Sequence, residues 1–323
     1  MPDCILFAYP LDGDPPRRLT ESHEIAQGLA APEPVWIHMA FDDPGTAPWI
    51  EENLAYLPEA AREALLAGET RPRANVVGDG VLVILRGVNL NPGAEPEDMV
   101  SVRLWVEDGR IISISRRPLV SISELSDEIA AGLGPRRAGD LLCALIDRIN
   151  ARIDDYLTTL DEEGTRLEAE VLREPDKTLR ARVTDMRGEL VDVRRFMLPQ
   201  REAVGRLSRG GAAVLTEEDT GRLGEDHDRL QRAVEEAESL RDRMVVVSDE
   251  LTTALSDRLN RNLYLLSMIS AIFLPLGVLT GLMGINLAGM PGAEWPPAFW
   301  VFTGLLVVIV ILQVAVLRAL KWL

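Results

Sequence analysis

Leu263–Met283 reads LYLLSMISAIFLPLGVLTGLM and Ala298–Leu317 reads AFWVFTGLLVVIVILQVAVL, two uncharged apolar segments in a chain of 323 residues. Each is about 20 residues, enough at roughly 1.5 Å per residue to cross a hydrocarbon core about 30 Å thick. A single Arg or Asp at mid-bilayer costs about 2.5–3.5 kcal/mol, so the absence of charge is informative. The loop between them, residues 284–297, begins Gly284-Ile285-Asn286, and the whole predicts a membrane hairpin. Arg258 and Arg261 precede the first segment, Arg318 and Lys321 follow the second, and the loop has no Lys or Arg. The positive-inside rule then places both termini in the cytoplasm and the loop outside the plasma (inner) membrane. Trp295, Phe299 and Trp300 at the outer face, with Trp322 at the inner one, suit an interfacial aromatic belt.

The preceding residues are enough for a substantial core. The opening Met1-Pro2-Asp3-Cys4 lacks the basic region and apolar stretch of a signal peptide, so this part is expected in the cytosol. Cys4 and Cys143 have no CxxC or HxxC partner and read as reduced, partly buried thiols. His23, His38 and His227 are scattered, which argues against a His/Cys zinc cage. The net charge of −17 excludes nucleic acid as a partner, since that needs basic patches. An acidic cytosolic body either concentrates cations near a membrane pathway or simply keeps the protein soluble.

Residues 1–135 read as an α/β domain. Strands are expected at Cys4–Tyr9, Val35–Met39, Val81–Val88, Met99–Val106 and Arg110–Ile114. Gly78-Asp79-Gly80 and Asp108-Gly109 are hairpin signals that predict antiparallel neighbours. Trp49–Ala67 and Ser121–Leu133 read as helices. Residues 136–262 change to long helices of a funnel and stalk. Leu142, Leu145, Ile149, Ile153, Tyr156, Leu160 and Leu167 form an apolar seam with an acidic face beside it, and a second helix is expected to end before Pro199. Thr216 and Asp219 suit the start of a third helix, whose seam runs through Leu230, Val234, Ala237, Met244, Leu251 and Leu255. With no proline from Glu217 until Pro275, this helix is expected to continue into the first span, about 100 Å in all. Its seam is expected to need further copies of the chain. Residues 263–323 form the membrane domain.

Asp249, Thr253, Ser256, Asn260 and Ser267 step by four, three, four and seven, which keeps them on one helical stripe. Leu263, Leu266, Leu274 and Gly277 continue close to it. In a symmetric bundle these become an acidic ring, hydroxyl and amide rings, and apolar constrictions that gate by dewetting. Alternatively, the Ser and Thr residues simply serve helix packing. Asn286 offers an uncharged oxygen to a hydrated cation, and Glu294, the loop's one charged side chain, would attract cations if repeated around a mouth.

The order of a cytosolic α/β domain, a stalk helix that becomes a span, Gly284-Ile285-Asn286 and a second span resembles the CorA family of divalent-metal transporters. The stretches Ile272-Phe273-Leu274-Pro275-Leu276, Leu279–Gly292 and Leu85–Pro92 resemble its ZntB, zinc-linked branch. That resemblance implies an α/β/α funnel domain, a stalk continuous with the first of two terminal spans, and a homopentamer around a central pore. It also implies that Asn286 forms the outer selectivity ring. Leu274, Gly277, Leu266 and Leu263 would line the pore, and Asp249 would stand where some members hold a regulatory divalent ion. Zinc uptake coupled to protons is implied by the branch. Two departures bear on the ion: Ile285 replaces the family's Met, and Gly277 has no side-chain oxygen. Neither span has His, Asp, Glu or Lys, so a proton relay through side chains is absent from them.

The expectation is therefore a transporter and not an enzyme, without a prosthetic group, whose partners are a divalent cation, the bilayer and further copies of itself. Magnesium, cobalt or nickel is the alternative cargo to zinc. A non-transporting membrane-anchored sensor or scaffold is the alternative from another class.

Overall fold

A computed structural model describes residues 2–12, 17–68, 70–285 and 295–319. The contacts divide the chain into two compact units, Met1–Asp249 and Glu250–Leu323. The first unit opens with β1 (Ile5–Pro10), α1 (Ser22–Ala30), β2 (Val35–Ala40), α2 (Thr46–Asn53), α3 (Glu59–Leu66), β3 (Arg73–Val77), β4 (Gly80–Gly87), β5 (Val100–Glu107), β6 (Arg110–Ser115) and α4 (Val120–Ala130). Long helices α5 (Ala138–Arg173), α6 (Lys177–Leu207) and α7 (Glu217–Gly284) follow, then α8 (Ala298–Ala319).

The six strands form one sheet in the order β1-β2-β6-β5-β4-β3. All neighbours are antiparallel except β2 and β6, which are separated in sequence and run parallel. Alternation sends Leu82, Trp105, Ile112 and Ile114 to one core, where they meet Ile25, Ile50, Leu54 and Leu65 from α1–α3. Helices α5 and α6 contact strands β3, β4 and β5. On β2, His38 is buried with its ring nitrogens 2.8 Å from Ser113 and 3.3 Å from Ser115. Burial pushes its pKa down to about 4, so the ring stays neutral.

The five expected strands are present. The sheet also contains β3, a five-residue strand whose exposed Arg73 and Asn75 leave it without a long Val- and Ile-rich run, and it supplies the missing partner of the Gly78-Asp79 turn. Gly78 adopts φ 61°, which favours glycine. Helix α1 was likewise not anticipated. The single helix expected at Trp49–Ala67 is two, because Pro58 fixes an extended break between α2 and α3. The expected stop before Pro199 is also corrected, since α6 runs through it to Leu207. Proline removes one backbone bond and costs about 3 kcal/mol in a helix. Burial of Val193, Met197, Ala203 and Val204 around it offsets that cost.

The capping at the start of α7 is as expected. Thr216 donates its backbone N–H and hydroxyl to Asp219 Oδ2, both at 2.9 Å, and its hydroxyl accepts from Asp219 N at 3.2 Å. Arg137 adds bonds of 3.2 and 3.1 Å to the same carboxylate. Both thiols are free and fully buried. Contrary to expectation, the α7 seam within the first unit needs no further copies of the chain to cover it. Leu230, Val234, Ala237 and Met244 are buried within the single chain. A Cβ on Gly164 of α5 would meet Leu240 at 2.9 Å, Met244 at 3.3 Å and Met186 at 3.6 Å, which marks the junction of α5, α6 and α7.

Candidate cation pathway

Helix α7 is 68 residues long and free of proline except at Pro275, so one element carries both the capping box and the apolar segment. Its acidic neighbour α5 places Asp140, Asp147, Asp154, Asp161 and Glu168 seven residues apart. Arg222, Arg229 and Arg243 of α7 pair with them in the same order, at 3.6 Å for Asp140, 3.2 Å for Asp147, 3.0 Å for Asp161 and 2.8 Å for Glu168. Arg229 also bonds Asp154. The α5 acidic face that could have concentrated cations is thus neutralised in large part by the chain's own arginines.

Along the stripe, Asp249, Thr253, Ser256, Asn260 and Ser267 are all exposed. Leu263, Leu266 and Leu274 are exposed by 52%, 61% and 67%, values foreign to the core of a water-soluble chain. Gly284 ends the helix and Ile285 follows, both exposed. Asn286 and Glu294 lie outside the described residues, as do Lys321 and Trp322.

Within the second unit, Phe273, Gly277 and Thr280 of α7 face Thr303, Val307 and Ile311 of α8 across an apolar groove of about 500 Å³. Gly277 lies three residues beyond Leu274, about 60° round the helix, and so sits at the α8 side of the stripe. The hydroxyls of Ser270, Thr280 and Thr303 donate to carbonyls four residues earlier at 2.8, 2.9 and 2.8 Å. Hydroxyls satisfied in this way are tolerated in an apolar medium. Both α7 and α8 contain segments long and apolar enough to cross a membrane, and those windows are 0% and 6% buried in the chain itself. Among the described residues no three His, Cys, Asp or Glu side chains are grouped to hold a metal. Along the stripe, the described residues offer a cation the carboxylate of Asp249, the amide of Asn260 and the hydroxyls of Thr253, Ser256 and Ser267.

A family model described as CorA-like Mg2+ transporter protein matches residues 32–318. The chain is 35% identical to the Divalent cation transporter CmaX of Pseudomonas aeruginosa, over 99% of this chain and 97% of that protein. It is 32% identical to the Zinc transport protein ZntB of Yersinia enterocolitica, over 98% of this chain and 96% of that one. The structure of full-length CmaX matches with a TM-score of 0.84 at 34% identity, covering 99% of this chain and 98% of that chain. The CorA magnesium transporter from Methanocaldococcus jannaschii shares the fold, with a TM-score of 0.80 at 20% identity and 100% of both chains covered. Two uncharged spans, a capped helix running into the first of them, and these likenesses agree: the chain belongs to the CorA family of divalent cation transporters.

Proposed function

We propose that this transporter carries zinc into the cytosol through a central pore built by five copies around the Leu263–Met283 segment of α7. The observation that supports this most is the exposed, uncharged course of α7 beyond Asn262, continuous with a stripe of hydroxyl and amide groups before it. Asn286 forms the outer ring and binds the hydrated ion through its amide oxygens, with Ile285 and Gly284 behind it and Glu294 drawing cations to the mouth. Leu263, Leu266 and Leu274 form apolar constrictions, Ser267 a hydroxyl ring, and Gly277 the edge toward α8. Asp249, Thr253, Ser256 and Asn260 line the inner vestibule, where Asp249 is also the candidate for holding a divalent ion. Both termini face the cytoplasm.

Zinc is favoured by the likeness to ZntB proteins. Soft or borderline metals are usually selected by thiolate and imidazole, and neither span has Cys or His, so the ion crosses with much of its water. A coupled proton travels through the same water, because no His, Asp, Glu or Lys interrupts either span. The second reading, magnesium, cobalt or nickel as cargo, is supported by the family's Mg2+ description and by the broader name of CmaX. Uptake of Zn2+, Mg2+, Co2+ and Ni2+ into proteoliposomes, with and without a pH gradient, separates the two. Zinc should enter fastest and respond to the gradient. Magnesium flux without zinc flux assigns the second reading, and flux of neither favours a sensor or scaffold.

A further inference from the structure

In a chain of net charge −17, the first unit gathers Arg86, Arg103, Arg116 and Arg117 around one cavity of about 180 Å³, with Ser101 and Asp98 beside them. The sheet register explains the convergence. Arg86 pairs with Ser101 across β4 and β5, and Arg103 pairs with Ile114 across β5 and β6. Arg116 stands two residues beyond Ile114. Alternation then puts Arg86, Ser101, Arg103 and Arg116 on one face, at one end of three neighbouring strands. That face carries Leu82, Trp105 and Ile112 into the apolar core. The core layer thus ends in guanidinium groups.

Arg103 is only 2% exposed. Its Nη2 donates to Ala67 O at 2.6 Å, while Nε and Nη1 are buried without a hydrogen-bond partner. Arg103 has no ion-pair partner among the described residues. Its guanidinium lies 4.2 Å over the Phe41 ring, and that of Arg116 lies 4.8 Å from the same ring. Burial first, then the charges of Arg116 and Arg86, push the Arg103 pKa down to about 10, so it is still a cation at neutral pH. A buried cation with idle N–H groups is unfavourable unless an acceptor reaches it. The remaining members are closer to solvent: Arg116 bonds Asp42 at 3.0 Å and Arg117 approaches Asp98 at 3.5 Å, with both arginine side chains about half exposed. A structural role as a stack on Phe41 and a cap for the end of α3 uses one nitrogen of Arg103 and leaves the other two unexplained.

We propose that this cavity binds a phosphate group, held by the Arg103 guanidinium and closed over by Arg116 and Arg117. Planar guanidinium N–H groups match the oxygens of a tetrahedral oxyanion, and a low-dielectric floor strengthens each charge-assisted bond. Free phosphate and the phosphate of a nucleotide present the same group, and the experiment distinguishes them.

Full-length protein in detergent is titrated with inorganic phosphate and, separately, with ATP, at constant ionic strength set by sodium chloride. Calorimetry and thermal melting follow binding. The proposal expects saturable binding with a rise in Tm. Affinity should fall at least about tenfold in the Arg116→Gln/Arg117→Gln double variant, the loss expected when charge-assisted bonds are removed, and binding should vanish in Arg103→Met. Tighter binding of ATP than of phosphate points to a nucleotide, and equal or weaker binding points to the free anion; either upholds the site. Absence of saturable binding by the wild-type protein overturns it, as does binding that survives unchanged in the double variant. Those two side chains are half exposed, so the double variant keeps the test decisive if Arg103→Met fails to fold.

Discussion

Helix α7 lies under opposite rules at its two ends. In Met1–Asp249 its Leu230, Val234 and Met244 are buried and its arginines answer the carboxylates of α5 seven residues apart. In Glu250–Leu323 the same helix exposes Leu263, Leu266 and Leu274 and carries no charge from Asn262 to Gly284. Water is the solvent that makes the first pattern stable, through burial of apolar area at about 25 cal/mol per Å². The second pattern is stable where the surroundings are themselves apolar, or where further copies cover it. The contrast separates the residues that fold the chain from those available for a pathway.

The largest expected effect breaks the first half of this comparison. Met244→Ala empties the α5, α6 and α7 junction and should cost about 2–5 kcal/mol, read as a lowered unfolding midpoint of the first unit. Next is Asp226, 6% exposed, which accepts a bond from Asn150 at 3.0 Å. Burial raises its pKa from 3.8 to about 6, helped by Asp147 and opposed by the Asn150 bond, Arg229 and Arg222. A carboxyl raised on folding binds more protons in the native state, so it favours folding most below pH 4 and loses that advantage as pH rises through about 6. Asp226→Asn should therefore gain about 1–3 kcal/mol at pH 8 and little at pH 4, seen by melting at the two pH values. Arg243→Ala removes half-exposed pairs with Asp161 and Glu168 and should cost under about 1 kcal/mol, less in high salt. Smallest is Leu274→Ala, expected within about 0.5 kcal/mol for folding of the first unit, yet changing metal flux if that residue lines the pore.

Much of this was legible because the signals were local. Capping chemistry at Thr216 and Asp219, absence of proline up to Pro275, and the Val- and Ile-rich runs of β4, β5 and β6 between turn residues each need only neighbouring residues. The break at Pro58 and the continuation through Pro199 show the limit. Pro58 stands extended at the start of α3, whereas Pro199 is held inside α6 with buried Met197 and Val204 on either side. The seam of α7 was visible as a pattern, but not that α5 and α6 of the same chain would cover it. The arginine cavity was hidden for the same reason. Arg86 and Arg103 occupy apolar-face positions in β4 and β5, Arg116 follows the end of β6, and only the register brings them together. Of the candidate pathway, the stripe from Asp249 to Gly277 is placed on exposed faces of α7, whereas Asn286 and Glu294 lie outside the described residues.

In the proposed pathway, divalent cations cross at a ring of Asn286 side chains. The decisive measurement is Zn2+ flux into proteoliposomes, compared for the wild-type protein and Asn286→Ala at equal reconstituted amounts. The expected result is metal flux by the wild-type protein that falls at least about tenfold in the variant, a change of about 1.4 kcal/mol in the barrier. Equal flux through both proteins contradicts the ring, and no flux of any divalent ion through the wild-type protein contradicts transport itself.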